Sequence, residues 1–327
     1  MKNIDYEIRE RFVKNTNLPI QVLDSPYFEY FLDLYEPTFE SKTSWVAFQK
    51  ELTDSFDGKS GKFFEYFRKT QENIISGILE SPKYKEFNDD KELNRVLSET
   101  PGDLKSEIYS GRNKGRMFLS VDLKKANFQA LHWYNPEIVL GKDTWEDFTG
   151  TYTDLQSIVS SKYLRQVIFG KTNPSRVSRV EKYLTWKITE LITPLLPESF
   201  KLASRMTDES IWEISGEYNT TGELEEMLKK TVKDSLGVEV KVEVYRVDMI
   251  QRFTHSGKSI LGFIKDFAWP KDKKSELKGA PKMYYPQIYK AWKNLDLNPV
   301  YDLVIYHEGD LARFDYPLSI INSQDGK

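Results

Sequence analysis

Apolar residues recur at three- and four-residue spacing through the first third of the chain, and this spacing predicts helices. The clearest runs are residues 27–34, 45–56 and 63–79, which are separated by turn-forming proline and glycine positions. Residues 83–104 are highly charged and predict a surface helix followed by a turn. The pattern therefore predicts that residues 1–110 form a mostly helical N-terminal domain.

From residue 116 to residue 247 the pattern becomes mixed. The predicted helices are residues 163–169, 178–191 and 223–236, and the predicted strands are residues 117–121, 202–206, 211–214 and 238–247. The second and third strands predict a hairpin closed around Thr207, Asp208 and Glu209. This order of elements predicts an α+β fold in which helices lie behind an antiparallel sheet.

Two aspartates stand at polar breaks in predicted strands, Asp122 in residues 120–131 and Asp208 in residues 205–215. Neighbouring antiparallel strands would bring them together. Two divalent metal ions ~3.5–4 Å apart can bridge the attacking and leaving oxygens of a phosphoryl transfer. Such hard cations take carboxylate oxygens as ligands. The pair therefore predicts an enzyme that holds two metal ions against a nucleoside triphosphate, although a lone aspartate at a strand end is more often a turn or cap residue.

Residues 161–187, which lie between the two aspartates, form a basic segment, although the chain as a whole carries a formal net charge of −3. Glu181 is its single acid. Its cations are Lys162, Arg165, Lys171, Arg176, Arg179, Lys182 and Lys187. A local excess of this kind in an acidic chain is typical of a phosphate-binding surface, and it is equally typical of a solvated helix face.

Three motifs in this region resemble those of family A DNA polymerases, which are relatives of the single-subunit phage RNA polymerases. The motifs are residues 121–128 (VDLKKANF), 162–170 (KYLRQVIFG) and 206–214 (MTDESIWEI). The resemblance implies a palm-type antiparallel sheet with helices behind it and reduced fingers. It also implies a template-directed nucleotidyltransferase that uses two Mg²⁺ or Mn²⁺ ions.

The resemblance assigns a role to each matching position. It implies Asp122 and Asp208 as metal ligands and, with Glu209, as the catalytic residues. Arg165 would be the cation that binds the triphosphate, Lys162 a second phosphate contact, Phe169 a stacking wall for the base, and Asn127 the residue beside the sugar. The implied contacts to the nucleic acid are Lys171, Arg176, Arg179 and Lys182.

The same resemblance suggests a division of the chain. Residues 1–110 would be a thumb-like or accessory domain, and residues 111–247 a palm with a short fingers insertion at about 132–200. Residues 248–327 would form a C-terminal extension packed on the palm. Within the extension, residues 278–292 interleave cations with aromatic side chains, which suits contact with single-stranded nucleic acid and equally suits a segment wrapped on the core.

Composition excludes several other classes. The chain has no cysteine, so disulfides, thiolate zinc sites and cysteine nucleophiles are excluded. No run approaches the ~18–20 apolar residues of a membrane span. We therefore expect an intracellular, cytoplasmic protein of the kind that phages and viruses encode, whose partners are nucleoside triphosphates and a primer-template or single-stranded nucleic acid.

Two alternatives to a polymerase stay open on the sequence. One is a catalytically inactive palm-like protein that binds nucleic acid or a replication partner. The other is an unrelated metal-dependent enzyme or structural protein in which Asp122 and Asp208 are coincidental.

Overall fold

Helices make up the first third of the molecule. The computed structural model describes residues 2–216 and 218–320, and for residues 2–5 it describes the backbone alone. The first helices are α1 (Lys2–Thr16), α2 (Tyr27–Phe39), α3 (Ser41–Phe56), α4 (Ser60–Glu80), α5 (Pro82–Asp89) and α6 (Lys91–Ser98). Their apolar stripes face inward, as Phe63, Phe67 and Ile74 on α4 show. The helical pattern predicted for this region is confirmed.

A six-stranded antiparallel sheet follows. Its strands are β1 (Met117–Leu123), β2 (Phe200–Arg205), β3 (Glu209–Ile214), β4 (Val240–Phe253), β5 (Ser259–Trp269) and β6 (Glu276–Lys278). They are ordered β2-β3-β1-β4-β5-β6, so β1 lies in the interior of the sheet between β3 and β4. The predicted α+β class with an antiparallel sheet is confirmed, and so is the hairpin of β2 and β3.

Five further helices lie between β1 and β2 in the chain, and a sixth lies between β3 and β4. They are α7 (Ala126–Tyr134), α8 (Trp145–Gly150), α9 (Gln156–Val159), α10 (Lys162–Gly170), α11 (Pro174–Ile192) and α12 (Glu223–Leu236). Helix α11 packs on β1, β2 and β3, and α12 packs on β4 and on α11. The first four strands with these two helices have the β-α-β-β-α-β order of ferredoxin-like folds. Because α11 packs on the sheet, residues 174–192 belong to the layer of helices behind it.

Successive residues of β1 project to opposite faces of the sheet. Leu119, Val121 and Leu123 join the main hydrophobic core on the side of the helices. Phe118 instead belongs to a second buried cluster, with Tyr245 among its members. By the same alternation Ser120 and Asp122 project on the side of Phe118, which we call the front face.

The sheet extends beyond the predicted palm. The boundary predicted at residue 247 falls inside β4, which ends at Phe253 and forms a long hairpin with β5. The main core is also continuous along the chain, because Ile8, Leu119 and Leu318 belong to one cluster. The N-terminal helices and the C-terminal segment therefore share a core with the sheet.

A buried ion pair joins two parts of the C-terminal segment. It contains α13 (Tyr285–Lys293) and a separate hairpin of β7 (Val304–His307) and β8 (Asp310–Arg313). Ile288 and Tyr289 on α13 are buried, and Lys290 lies 2.8 Å from the fully buried Asp302. For residues 278–292 the structure thus favours the segment wrapped on the core.

In the part of the chain that the structure describes, none of the helices has the length and apolar composition that a membrane span requires.

Candidate functional site

The end of β1 lies beside the turn between β2 and β3. Asp122 is the direct cross-strand neighbour of Glu209 on β3. One residue further along, the Leu123 amide donates a hydrogen bond of 2.8 Å to the carbonyl oxygen of Asp208. The strand order therefore brings together the two segments in which the sequence predicted metal ligands.

The Asp122 carboxyl lies in an environment that opposes its ionisation. Burial, together with the charges of Glu209 and Asp208, raises its pKa to about 7, while Lys241 works in the opposite direction. Lys241 is the neighbour of Asp122 on β4. Carboxylates that share a site cannot all ionise without a nearby cation, because each charge repels the others. This group of acids is therefore short of positive charge.

Glu181 on α11 is another acid of the site. Its side chain is buried, and burial together with the charge of Asp208 raises its pKa to about 7. Asn127 on α7 donates a hydrogen bond of 2.6 Å to it. The sequence analysis treated Glu181 only as the one acid in a basic segment. Its position between Val180 and Leu184, within the apolar stripe of the helix, was the signal that could have identified it.

The side-chain amide of Asn127, predicted to lie beside the sugar, thus forms its hydrogen bond with Glu181 in this structure. Ser120 holds Glu209 in a similar way, since its hydroxyl donates a hydrogen bond of 2.5 Å to the Glu209 carboxylate. Ser120 is fully buried in β1. Sequence reasoning missed this serine, because nothing in an interior strand position distinguishes an orienting serine from a packing one.

Glu243, a second acid on the front face, has the opposite pKa shift to Asp122. Glu243 on β4 lies 2.8 Å from Lys241, 2.6 Å from Lys265 and 2.5 Å from Lys273. Burial opposes its ionisation, but the three lysines outweigh burial and hold the pKa of Glu243 below its usual value. The negative charge of Glu243 is therefore balanced by lysines of the protein itself. The acids around Asp122 are not, so the shortage of positive charge is specific to the end of β1.

Helix α10 brings a cation to these acids, and its predicted helical structure is confirmed. Burial lowers the pKa of the Arg165 guanidinium, and the charges of Glu146 and Asp122 oppose this. Arg165 therefore lies within electrostatic reach of Asp122. Lys162 is exposed and lines a cleft of about 480 Å³ with residues of α1 and α3, Phe12 and Glu51 among them. The structure does not bring Lys162 to the carboxylates.

Phe169 was predicted as a stacking wall, and its position corrects that prediction. The ring is 2% exposed and lies 5.8 Å from the Trp145 ring, centroid to centroid. A stacking wall must offer one free face to a base. Phe169 is a core residue, and the apolar stripe of α10 placed it there.

Arg176 was predicted to contact nucleic acid, and the structure corrects this prediction also. Its guanidinium donates hydrogen bonds to the Asn94 side chain at 2.6 Å and to the Asp90 carbonyl at 2.8 Å. It also lies 5.1 Å from the centre of the Phe87 ring. Arg176 is buried and joins α11 to α5 and α6.

The other three predicted nucleic-acid contacts remain at the surface. Lys171 and Arg179 are exposed. Lys182 lies 2.9 Å from Asp103, which neutralises part of its charge. With Arg176 buried, the basic segment is a scattered set of cations and not one continuous phosphate-binding surface.

The donor chemistry of the site fits a divalent cation that arrives with a phosphate. In residues 2–216 and 218–320, no three histidine, aspartate or glutamate side chains converge closely enough to hold a metal ion by themselves. Magnesium in nucleotide-dependent enzymes usually takes one or two protein carboxylates, and substrate phosphates and water complete its coordination. Asp122 and Asp208, with the acids beside them, supply carboxylates that lack counter-charge.

Comparisons of the chain with protein-family models, with curated proteins and with solved structures find no match. The interpretation of the site therefore rests on its residues, on their geometry and on the motifs described above.

The raised pKa of Glu181 predicts a pH-dependent stability. Between pH 4.5 and about 7 the folded protein keeps a proton that the unfolded chain has released. The free energy of unfolding contributed by this group therefore falls as the pH rises through that window. Glu181→Gln removes the titration, so the variant should gain stability relative to the wild type between about pH 5 and pH 8 in urea unfolding.

Glu190→Gln is the matched control, because Glu190 lies on the same helix with its side chain 51% exposed. Its stability relative to the wild type should not change over the same pH range. A constant difference between Glu181→Gln and the wild type would contradict the raised pKa.

Proposed function

We propose that the protein is a template-directed nucleotidyltransferase, similar to a DNA polymerase, that adds nucleoside monophosphates from triphosphates. The observation that carries this proposal is the undercompensated group of Asp122, Asp208 and Glu209, at the point where β1 meets the turn between β2 and β3. Its place in a β-α-β-β-α-β sheet, within electrostatic reach of Arg165, supports the same interpretation. The three motifs quoted above are the sequence counterpart of this geometry.

In this proposal Asp122 and Asp208 hold two divalent ions, which supply Lewis-acid stabilisation of the developing negative charge when they are bound. Arg165 binds and orients the phosphates, because it is the cation that α10 directs toward Asp122. Ser120 fixes the orientation of Glu209. The protein mainly positions charge, as expected for phosphoryl transfer.

A primer-extension assay tests the proposal. The protein is incubated with a primer-template, Mg²⁺ or Mn²⁺ and labelled nucleotides, and the expected result is an extended primer whose sequence follows the template. Competition between labelled ATP and dATP in the same assay assigns the product as RNA or DNA. Absence of extension with either metal, on primed and unprimed templates, would contradict the proposal.

The second candidate is a palm-like protein that binds nucleic acid without catalysis. One observation favours it: Phe169, the stacking wall that the resemblance implies for the incoming base, is buried in the core. A protein that retards a labelled primer-template in a gel but never extends it would support this candidate.

Arg165→Ala is expected to raise the KM for nucleotide by about ten- to a hundredfold, because a charge-assisted phosphate contact contributes ~1.5–3 kcal/mol. Steady-state kinetics of primer extension measures the change. Lys230→Ala, which removes a cation on α12 whose side chain is 77% exposed, is the control and should leave KM within about twofold. Unchanged KM in the folded Arg165→Ala protein would make Arg165 a structural residue.

A further inference from the structure

One carboxylate near Asp122 is paired with one cation and lies within electrostatic reach of a second. Lys125 follows the first motif and begins α7 with a left-handed backbone conformation, φ 49°. Its ammonium group forms an ion pair with the carboxylate of Glu146 on α8. The charge of Glu146 also acts on Arg165 of α10, together with that of Asp122. Glu146 thus interacts with cations from two different helices at the edge of the site.

These interactions leave a hydrogen-bond donor of Arg165 without a partner. Its Nε atom is buried without a hydrogen-bond partner, and among residues 2–216 and 218–320 no carboxylate is close enough to form a salt bridge with it. A buried donor without a partner is costly, and more so when the group is charged. The guanidinium is therefore prepared for an anion that the protein itself does not supply.

We propose that Glu146 is an intramolecular competitor for this anion site. In the free protein its carboxylate pairs with Lys125 within electrostatic reach of Arg165, and a ligand with a polyphosphate group displaces it from Lys125 and binds both cations. The identity of the ligand as a nucleoside triphosphate rests on the proposed function. The competition itself rests only on the three side chains.

The ion pair that must open is weak. The side chains of Lys125 and Glu146 are 32% and 43% exposed, and ion pairs of this kind contribute little in water. A polyphosphate carries several negative charges and binds two cations at once, so it competes effectively with a single carboxylate.

The displaced Glu146 carboxylate has an alternative position in a neighbouring cleft. Glu146 also lines a cleft of about 660 Å³, where Lys142 offers another partner. Asp143 and Asp147 line the same cleft, and their charges favour the position next to Lys125 while no anion is bound. Two positions of the Glu146 side chain are therefore available, and the ligand selects between them.

Calorimetric titration with inorganic triphosphate tests the competition without catalysis. Glu146→Gln should bind triphosphate about tenfold more tightly than the wild type, which corresponds to ~1.4 kcal/mol at 25 °C. Asp154→Asn is the matched control, because it removes the same charge from the same cleft at an exposed position. Its affinity should stay within about twofold of the wild type.

Lys125→Gln should bind triphosphate more weakly than the wild type, because it removes one of the two cations. Equal or weaker binding by Glu146→Gln, or an unchanged affinity in Lys125→Gln, overturns the inference. Primer extension by the same proteins separates the two proposals. If the affinities follow the expected order but no primer is extended, the polymerase proposal fails and the anion site with its competitor stands.

Discussion

Asp122→Asn is expected to abolish nucleotidyl transfer, with a loss of at least ~10³-fold in kcat, because the variant removes a charged oxygen ligand from a two-metal site. The same substitution should leave the melting temperature unchanged or raise it. Without a bound metal, Asp122 is a half-buried acid next to Glu209 and Asp208, so a neutral amide relieves repulsion. Primer extension and thermal unfolding measure the two effects.

Asp248→Asn provides the control for this experiment. It makes the same chemical change on β4, where the Asp248 side chain is 56% exposed, and both readouts should match the wild type. Mg²⁺ should raise the melting temperature of the wild type and not that of Asp122→Asn, because a ligand that binds only the folded state stabilises it. Residual activity within tenfold of the wild type would remove Asp122 from the catalytic group.

Asp302→Ala is expected to lower the free energy of unfolding by ~3–5 kcal/mol, the usual cost of removing one partner of a buried ion pair. Asp302 is fully buried and 2.8 Å from Lys290. It also accepts hydrogen bonds from the Tyr30 hydroxyl at 2.8 Å and from the backbone amide of Asn298 at 2.6 Å. The variant leaves the Lys290 charge buried and releases the C-terminal segment from α2. Urea unfolding measures the loss.

Asp310→Ala, at an exposed position of β8, is the matched control and should change the stability by less than ~0.5 kcal/mol. Lys290→Met tests the pair from the other side and should also destabilise, since it leaves Asp302 without its cation. If Asp302→Ala unfolds at the same urea concentration as the control, the buried pair does not hold the C-terminal segment.

Local pattern was enough to predict most of the central elements. The amphipathic run at residues 223–236 became α12 with the same bounds, and the polar break at Thr207 and Asp208 became the turn between β2 and β3. Both features depend on interactions within a few residues, so the sequence shows them directly. Strand β5 escaped prediction, because its alternation is interrupted at Gly262 and its neighbours are polar.

The positions of the site residues were predicted in part, and their chemistry stays a prediction. Asp122, Asp208 and Arg165 were identified from their motifs, and the structure places Glu209 opposite Asp122 and Arg165 within electrostatic reach of it. Phe169 and Arg176 were assigned to the wrong surroundings, because residue type and spacing do not tell which face of a helix is covered. Arg176 faces residues of α5 and α6 that lie more than eighty positions earlier in the chain.

By itself, the sequence determined the helices, the hairpin and the two aspartates at polar breaks, since periodicity and turn residues are local properties. Only the tertiary structure decided which charges are compensated. Glu243 meets three lysines from β4, β5 and the segment after β5, whereas Asp122 meets Glu209, Asp208 and a single lysine. Ionisation depends on burial and on every charge within a few ångströms, and strand order brings those charges together from distant parts of the chain.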